Sequence, residues 1–255
     1  MKIPHVFVSQ VTLLSVLLLG VPASAGENDT QVDSLVQYGT MHEAIGQQQA
    51  EGRVRFSELT RRPHFYGVAA LEGLHGEGTI YDGKVTITTV DESGNLQSNT
   101  GKSPDAQATM LVGSYIPSWT QHEVTQEVPP SEFDRYIENA ANQAGLKMNE
   151  PFVFTIEGDF SNVDLHVING ACPIHARMKK IELPKDRQPF EAEIPAIDGK
   201  LVGIFAKDAV GKLTHPATST HIHLLYSDPK TGKTVTGHIE KIGLQKGAVL
   251  RLPEN

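Results

Sequence analysis

Thr220-His221-Ile222-His223-Leu224 is followed, after the polar run Asp228-Pro229-Lys230-Thr231-Gly232-Lys233, by Thr234-Val235-Thr236-Gly237-His238. Alternate residues of a strand share a face, so His221 and His223 point one way while Ile222 and Leu224 point the other. The turn between the two runs is centred between Lys230 and Thr231. A symmetric hairpin about that centre sets His223 opposite His238, and directly opposed residues share a face. Three neutral imidazoles then converge. That is what an open catalytic zinc site requires, with three nitrogen ligands at about 2.0–2.1 Å and a fourth position left to water or substrate. Ordinary histidines on a half-exposed sheet face would give the same H-x-H letters, and it is the third one, placed by the register, that favours a metal. Iron(II), manganese, nickel and copper also accept imidazole, so the residues alone do not select the ion.

The elements that must position these side chains are mostly strands. Phe65–Leu71 (FYGVAAL) and the two runs either side of Tyr81-Asp82-Gly83-Lys84 have β texture, and that tetrapeptide is a tight-turn signal, so a hairpin is expected there. The polar stretch Asp91 to Asp105 reads as a loop, followed by a buried strand in ATMLVGSYI. Ser131 and Asp134, after two prolines, resemble a capping box, and Phe133, Ile137, Ala140, Ala141 and Ala144 then keep a helical stripe until Gly145. Near the start, Val32, Leu35, Val36, Met41 and Ile45 fall at helical spacings that suit one or two short amphipathic helices. PFVFTIEGDF, VDLHVI, KLVGIFA, STHIHLLYS, KTVTGHIEKI and AVLRLP are all strand-like. The expected class is α+β: two packed β-rich subdomains with mixed sheets and a few flanking helices. Residues 26–147 form an N-terminal α/β subdomain and residues 148–255 a C-terminal β-rich, metal-binding one.

Composition narrows the chemistry. The 255 residues carry 30 Asp+Glu against 22 Lys+Arg, a net charge of -8, which argues against a surface that tracks phosphates. Hydrophobic residues at 39% suffice for a packed core. The single cysteine, Cys172, excludes a disulfide framework and a multi-cysteine zinc site, so histidines and carboxylates must hold any metal. Residues 1–25 read as a signal peptide: Lys2 precedes the apolar run Val11 to Val21, and Ala23-Ser24-Ala25 is a small-x-small cleavage pattern. Pro4, Ser9, Gln10 and Pro22 interrupt the uncharged stretch, which makes an uncleaved anchor the weaker reading against the ~20 apolar residues a span needs. The mature protein is expected to be secreted or periplasmic.

With these residues in view, the sequence resembles the acetolactate decarboxylases, zinc enzymes that convert 2-acetolactate to acetoin and carbon dioxide. The resemblance rests on Val68 to Glu77 with Tyr81-Asp82-Gly83-Lys84, on Pro151 to Phe160, on Leu201 to Phe205, and on the H-x-H…Gly237-His238 hairpin. It implies that His221, His223 and His238 are zinc ligands and that Glu77 is the catalytic glutamate beside the metal. Taken alone, Glu77 reads as a solvated surface carboxylate at a strand start. The chain also departs from the family. Thr155 stands where the substrate-binding arginine is expected, Ala70 stands where an active-site threonine is expected, and the tail that carries a second glutamate has no clear counterpart before Asn255. Losing the arginine removes a bidentate partner for a carboxylate. His166 and Arg177 are candidate replacements, each otherwise a surface residue. Glu240 shares the face of His238 and could replace the tail glutamate, its ordinary reading being an ion pair with Lys233 or Lys241.

The implied function is zinc-dependent decarboxylation of 2-acetolactate or a related 2-hydroxy-3-keto acid. The alternatives are a zinc-containing binding module, a divergent enzyme for another substrate, and metal-assisted hydrolysis or a cupin-like oxygenase. The last is disfavoured because no glutamate follows His223 within Leu224 to Ser227. The expected partner is a small molecule, with neither nucleic acid nor a stable membrane anchor, and a homodimer is left open. Mass spectrometry of the exported chain should find its N-terminus at or near Gly26, and recovery of Met1 there would contradict the leader assignment.

Overall fold

The computed structural model describes Met1 and residues 34–101 and 105–254, so the expected leader falls outside the described residues. Two antiparallel sheets carry the chain. The first contains β1 (Val36–Tyr38), β2 (Val54–Arg55), β3 (Phe65–Leu71), β4 (Glu77–Tyr81), β5 (Lys84–Val90), β6 (Leu96–Gly101) and β7 (Gln107–Tyr115). Their order is β1-β7-β3-β4-β5-β6, with β2 also on β7. The second contains β8 (Trp119–Glu123), β9 (Phe152–Val167), β10 (Phe190–Phe205), β11 (Thr220–Ser227), β12 (Thr234–Leu244) and β13 (Val249–Pro253). Here the order is β10-β11-β12-β9-β13-β8, and β10 also pairs with β9. That extra ladder closes β9, β10, β11 and β12 into a ring. Short helices flank the sheets: α1 (Phe56–Leu59), α2 (Phe133–Gln143) and α3 (Pro173–Lys179). Among the described residues no helix is long and apolar enough to cross a membrane.

The packed β-rich layers with few helices match the expected class, but the named ladders are antiparallel rather than mixed. The expected hairpin at Tyr81 to Lys84 forms, with Asp82 and Gly83 at φ 51° and 73°, the two left-handed positions that match the twist of the flanking strands. Two local expectations fail. Val36 lies in β1, and the helical spacing of Met41 and Ile45 shrinks to one π-helical turn at His42–Gly46, because Gly39 turns the chain at φ 65°. The polar stretch after Asp91 contains β6, an edge strand paired only to β5, whose side chains are largely exposed and so give no apolar alternation.

Two layers of core hold the second sheet in place. Between the sheets lie Tyr66, Val68, Val112 and Ile116 from the first and Val153, Val202 and Ile204 from the second. Behind the second sheet, α2 buries Phe133, Ile137, Ala140 and Ala141 against Phe154, Ile156, Leu224 and Ile239. Phe154, Ile156 and Phe160 share that cluster with Val163, Leu165 and Val167, so the inward set of β9 changes parity. Asn162, at φ 50°, absorbs the extra residue, as a bulge does. His166 is thereby turned to the same side as Val153 and Thr155. The capping box expected at α2 does not form; instead the Asp134 carboxylate accepts hydrogen bonds from Ser219 N–H and Thr220 Oγ1–H, both at 2.6 Å.

Gly203 of β10 sits directly opposite Phe154, whose ring lies over the bare backbone, and a Cβ there would come within 2.3 Å of Phe154 Cζ. Gly203→Ala should therefore cost about 1–3 kcal/mol through overpacking, read as a lower urea midpoint with an unchanged slope.

Candidate metal centre

The hairpin places its histidines in the expected register. His223 pairs with His238, Leu224 with Gly237 and Leu225 with Thr236. Asp228 fixes the turn by accepting from Thr231 Oγ1 at 2.6 Å and Lys230 N–H at 3.2 Å. His221, His223 and His238 are buried, and one ring nitrogen of each lies within 4.8 Å of the others. Their ring centroids are 5.3 Å (His221 to His223), 5.0 Å (His221 to His238) and 5.5 Å (His223 to His238) apart. Imidazoles that share one tetrahedral ion through bonds of about 2.0–2.1 Å have centroids roughly 5 Å apart, so the spacing fits a single ion.

Tautomers and charge agree with that fit. Gly78 C=O lies 3.1 Å from His223 Nδ1 and can only accept, so Nδ1 carries the hydrogen and Nε2 keeps its lone pair. Thr79 Oγ1 stands 3.2 Å from the same nitrogen. A ring N–H of His221 donates to Leu213 C=O. Such outer partners orient metal-binding imidazoles. Burial pushes the His223 pKa down to about 3, with the His166 charge adding to it, and holds His221 and His238 well below the usual histidine value. All three are neutral at physiological pH, the form that binds a cation.

Glu77 faces this group from the other sheet. It opens β4, paired to Ala70 and Thr88, after Gly76, which holds φ 134°. It is not the solvated carboxylate that its local sequence suggests: it is 3% exposed, with Oε2 3.6 Å from His223 Nε2. Burial raises its pKa well above the ordinary carboxylate range, partly offset by a hydrogen bond from Ile168 N–H.

The weaker candidates lie one strand further out. His166 pairs with His238 across β9 and β12, and their rings are 4.8 Å apart. It is 2% exposed, not a surface residue, and its Nδ1 is 2.8 Å from Glu240 Oε1. Glu240 pairs with His166 and Arg177, not with Lys233 or Lys241; Lys241 instead faces Asp164 at 3.5 Å. Burial opposes the Glu240 charge, but hydrogen bonds from His166 and Arg177 prevail and hold its pKa near about 2. Arg177, half-exposed on α3, also binds Glu191 at 2.8 Å. Thr155 is fully buried, its Oγ1 without a hydrogen-bond partner, and Val202 stands between it and His223. Cys172 is buried beside the α3 N-terminus with its thiol pushed up to about 11 by burial, and it is not one of the converging group.

The sequence reading missed His215. It lies in the irregular connection before β11, where no strand period can place it, with its ring 5.0 Å from His238 and 6.4 Å from His221. Burial lowers its pKa to about 4.

The family model for alpha-acetolactate decarboxylase matches residues 35–251, and the chain belongs to that family. Among solved structures it is similar to the acetolactate decarboxylase of Bacillus subtilis subspecies spizizenii, at 16% identity and a TM-score of 0.66 over 88% of this chain and 87% of that one. Alpha-acetolactate decarboxylase from Bacillus subtilis strain 168 gives 15%, 0.64, 88% and 86%. A Staphylococcus aureus protein of unknown function, described as similar to alpha-acetolactate decarboxylase, gives 19%, 0.57, 87% and 86%. At these identities the likeness is one of fold. No curated protein matches the sequence.

Removing one imidazole leaves two, an incomplete site. His223→Ala should lose most of the bound metal measured by elemental analysis after dialysis, and stoichiometric retention would contradict the assignment.

Proposed function

We propose that the chain decarboxylates 2-acetolactate, or a related 2-hydroxy-3-keto acid, to acetoin or its homologue and carbon dioxide, with zinc as the resident ion. The observation that carries this reading is Glu77, buried and 3.6 Å from His223 Nε2 on the face of a three-histidine group. A divalent ion held by His221, His223 and His238 would supply Lewis-acid polarisation to the hydroxyl and ketone oxygens of such a substrate.

The chain's own residues account for the proton. When the bond from C2 to the carboxylate breaks, carbon dioxide leaves and the electron pair stays behind on C2, conjugated with the neighbouring ketone. One proton must then reach C2 to give the hydroxy ketone. Glu77, whose pKa burial raises above the ordinary carboxylate range, is placed to donate it, and the Ile168 N–H steadies the carboxylate that results until it takes a proton from water. Glu240, held as an anion by two partners, is suited to orienting His166 rather than to carrying that proton. His166 stays the nearest candidate for contact with the substrate.

A second reading, a metal-containing binding module or an enzyme for another substrate, is favoured by one observation. Thr155 offers no cation, and Arg177 already serves two carboxylates. Turnover separates the readings. The proposal also places the mature chain outside the cytosol, after loss of residues 1–25.

Zinc-loaded protein should form acetoin from 2-acetolactate, and Glu77→Gln should retain zinc while losing about 10²- to 10⁴-fold in rate. Zinc-loaded wild type without acetoin formation above background would contradict the lyase reading and leave the binding reading in its place.

A further inference from the structure

We propose that His215, carried on a loop, is a fourth nitrogen ligand for an ion held by the three-histidine group. The inference rests on the metal reading of the three-histidine group. A fourth ligand must approach more than one edge of that group. His215 does so, at 5.0 Å from His238 and 6.4 Å from His221 between ring centroids, the first equal to the spacing within the group. His166 does not have this placement: it lies on β9, beyond β12, on the far side of His238 from β11. A shift of His215 on the order of 1 Å would bring the longer separation toward the roughly 5 Å expected of ligands to one ion.

The loop is built for such a shift. Its first part is tied to the π-helical turn through His42 N–H to Gly211 C=O at 2.8 Å, and its end is tied to Asp134 through Ser219 and Thr220. Between these anchors, His215 to Thr218 form a local turn closed by Thr218 N–H to His215 C=O at 3.3 Å, and Thr218 Oγ1 lies 3.1 Å from both that oxygen and Thr220 C=O. The Thr218 N–H bond is internal to the turn and moves with it. His215 also lines two cavities, one of about 180 Å³ with Met41, Cys172, Met178 and Thr214, the other of about 380 Å³ with His238, Glu240 and Asp134. Thr214 Oγ1 is fully buried without a hydrogen-bond partner at the first of these. His215 therefore borders both hollows, the second of them also lined by His238.

The test uses the full mature chain, titrated with zinc and, as a spectroscopic probe, with cobalt(II). His215→Ala and the bulkier His215→Gln should bind zinc on the order of 10- to 100-fold more weakly than wild type. Their cobalt(II) visible spectra should change in shape and intensity, and free imidazole should restore the wild-type spectrum to His215→Ala. The metal-free unfolding midpoints should stay near wild type. Zinc affinities within twofold of wild type with superimposable cobalt spectra in both variants would overturn the proposal while leaving the three-histidine site intact. A wild type that takes up no metal would overturn the three-histidine reading and this proposal with it.

Discussion

The register of the β11–β12 hairpin is the constraint on which the rest depends. Side chains alternate with a period of two, so a slip of one residue would turn His238 to the opposite face from His223 and dissolve the group. Several contacts hold the register at once. Asp228 clasps the turn, β10 fixes β11 by setting Val202 opposite His223, and β9 fixes β12 by setting His166 opposite His238. The first sheet then locks the same point from above. Gly78 C=O accepts from His223, Thr79 Oγ1 lies 2.6 Å from Thr236 Oγ1, and Thr236 N–H donates to Thr88 Oγ1 at 2.8 Å. The sheets are thus joined by hydrogen bonds that also orient a candidate ligand.

Electrostatics follow from that burial. Imidazoles packed together away from water resist protonation, because each new charge would be both desolvated and repelled by its neighbours. They remain lone-pair donors. Glu77, buried beside them, is pushed the opposite way, its pKa raised by the same loss of water. The charged groups sit further out: Glu240, Arg177 and Glu191 form a chain at the outer side of His166, and Glu157 gathers Arg251, Lys200 and Tyr81 elsewhere between the sheets. Neutral imidazole donors near the centre with compensated ions around them suit a site that takes up a cation.

What was legible in the sequence was whatever depends on short range. The histidine register could be read because strand period and turn centre fix it by counting. The β4–β5 hairpin could be read from Asp82-Gly83, and α2 from its apolar stripe. The rest depends on contacts between distant segments. Glu77 looks solvated in its local sequence and is buried only because a second sheet lies over it. His166 is turned inward by the bulge at Asn162, which shifts the alternation of β9 midway. Asp134 resembles a helix cap yet is used to tie down the loop before β11, and His215 has no periodic signal because that loop has no period. β6, at an edge, has no apolar face to betray it.

Three imidazoles from one hairpin, beneath Glu77, are proposed to share a single ion. Anomalous diffraction at the zinc absorption edge, from crystals of the zinc-loaded protein, tests this most directly. One strong peak per chain is expected within about 2.0–2.1 Å of a ring nitrogen of each of His221, His223 and His238. A peak held by other residues, or none near this group, would contradict it.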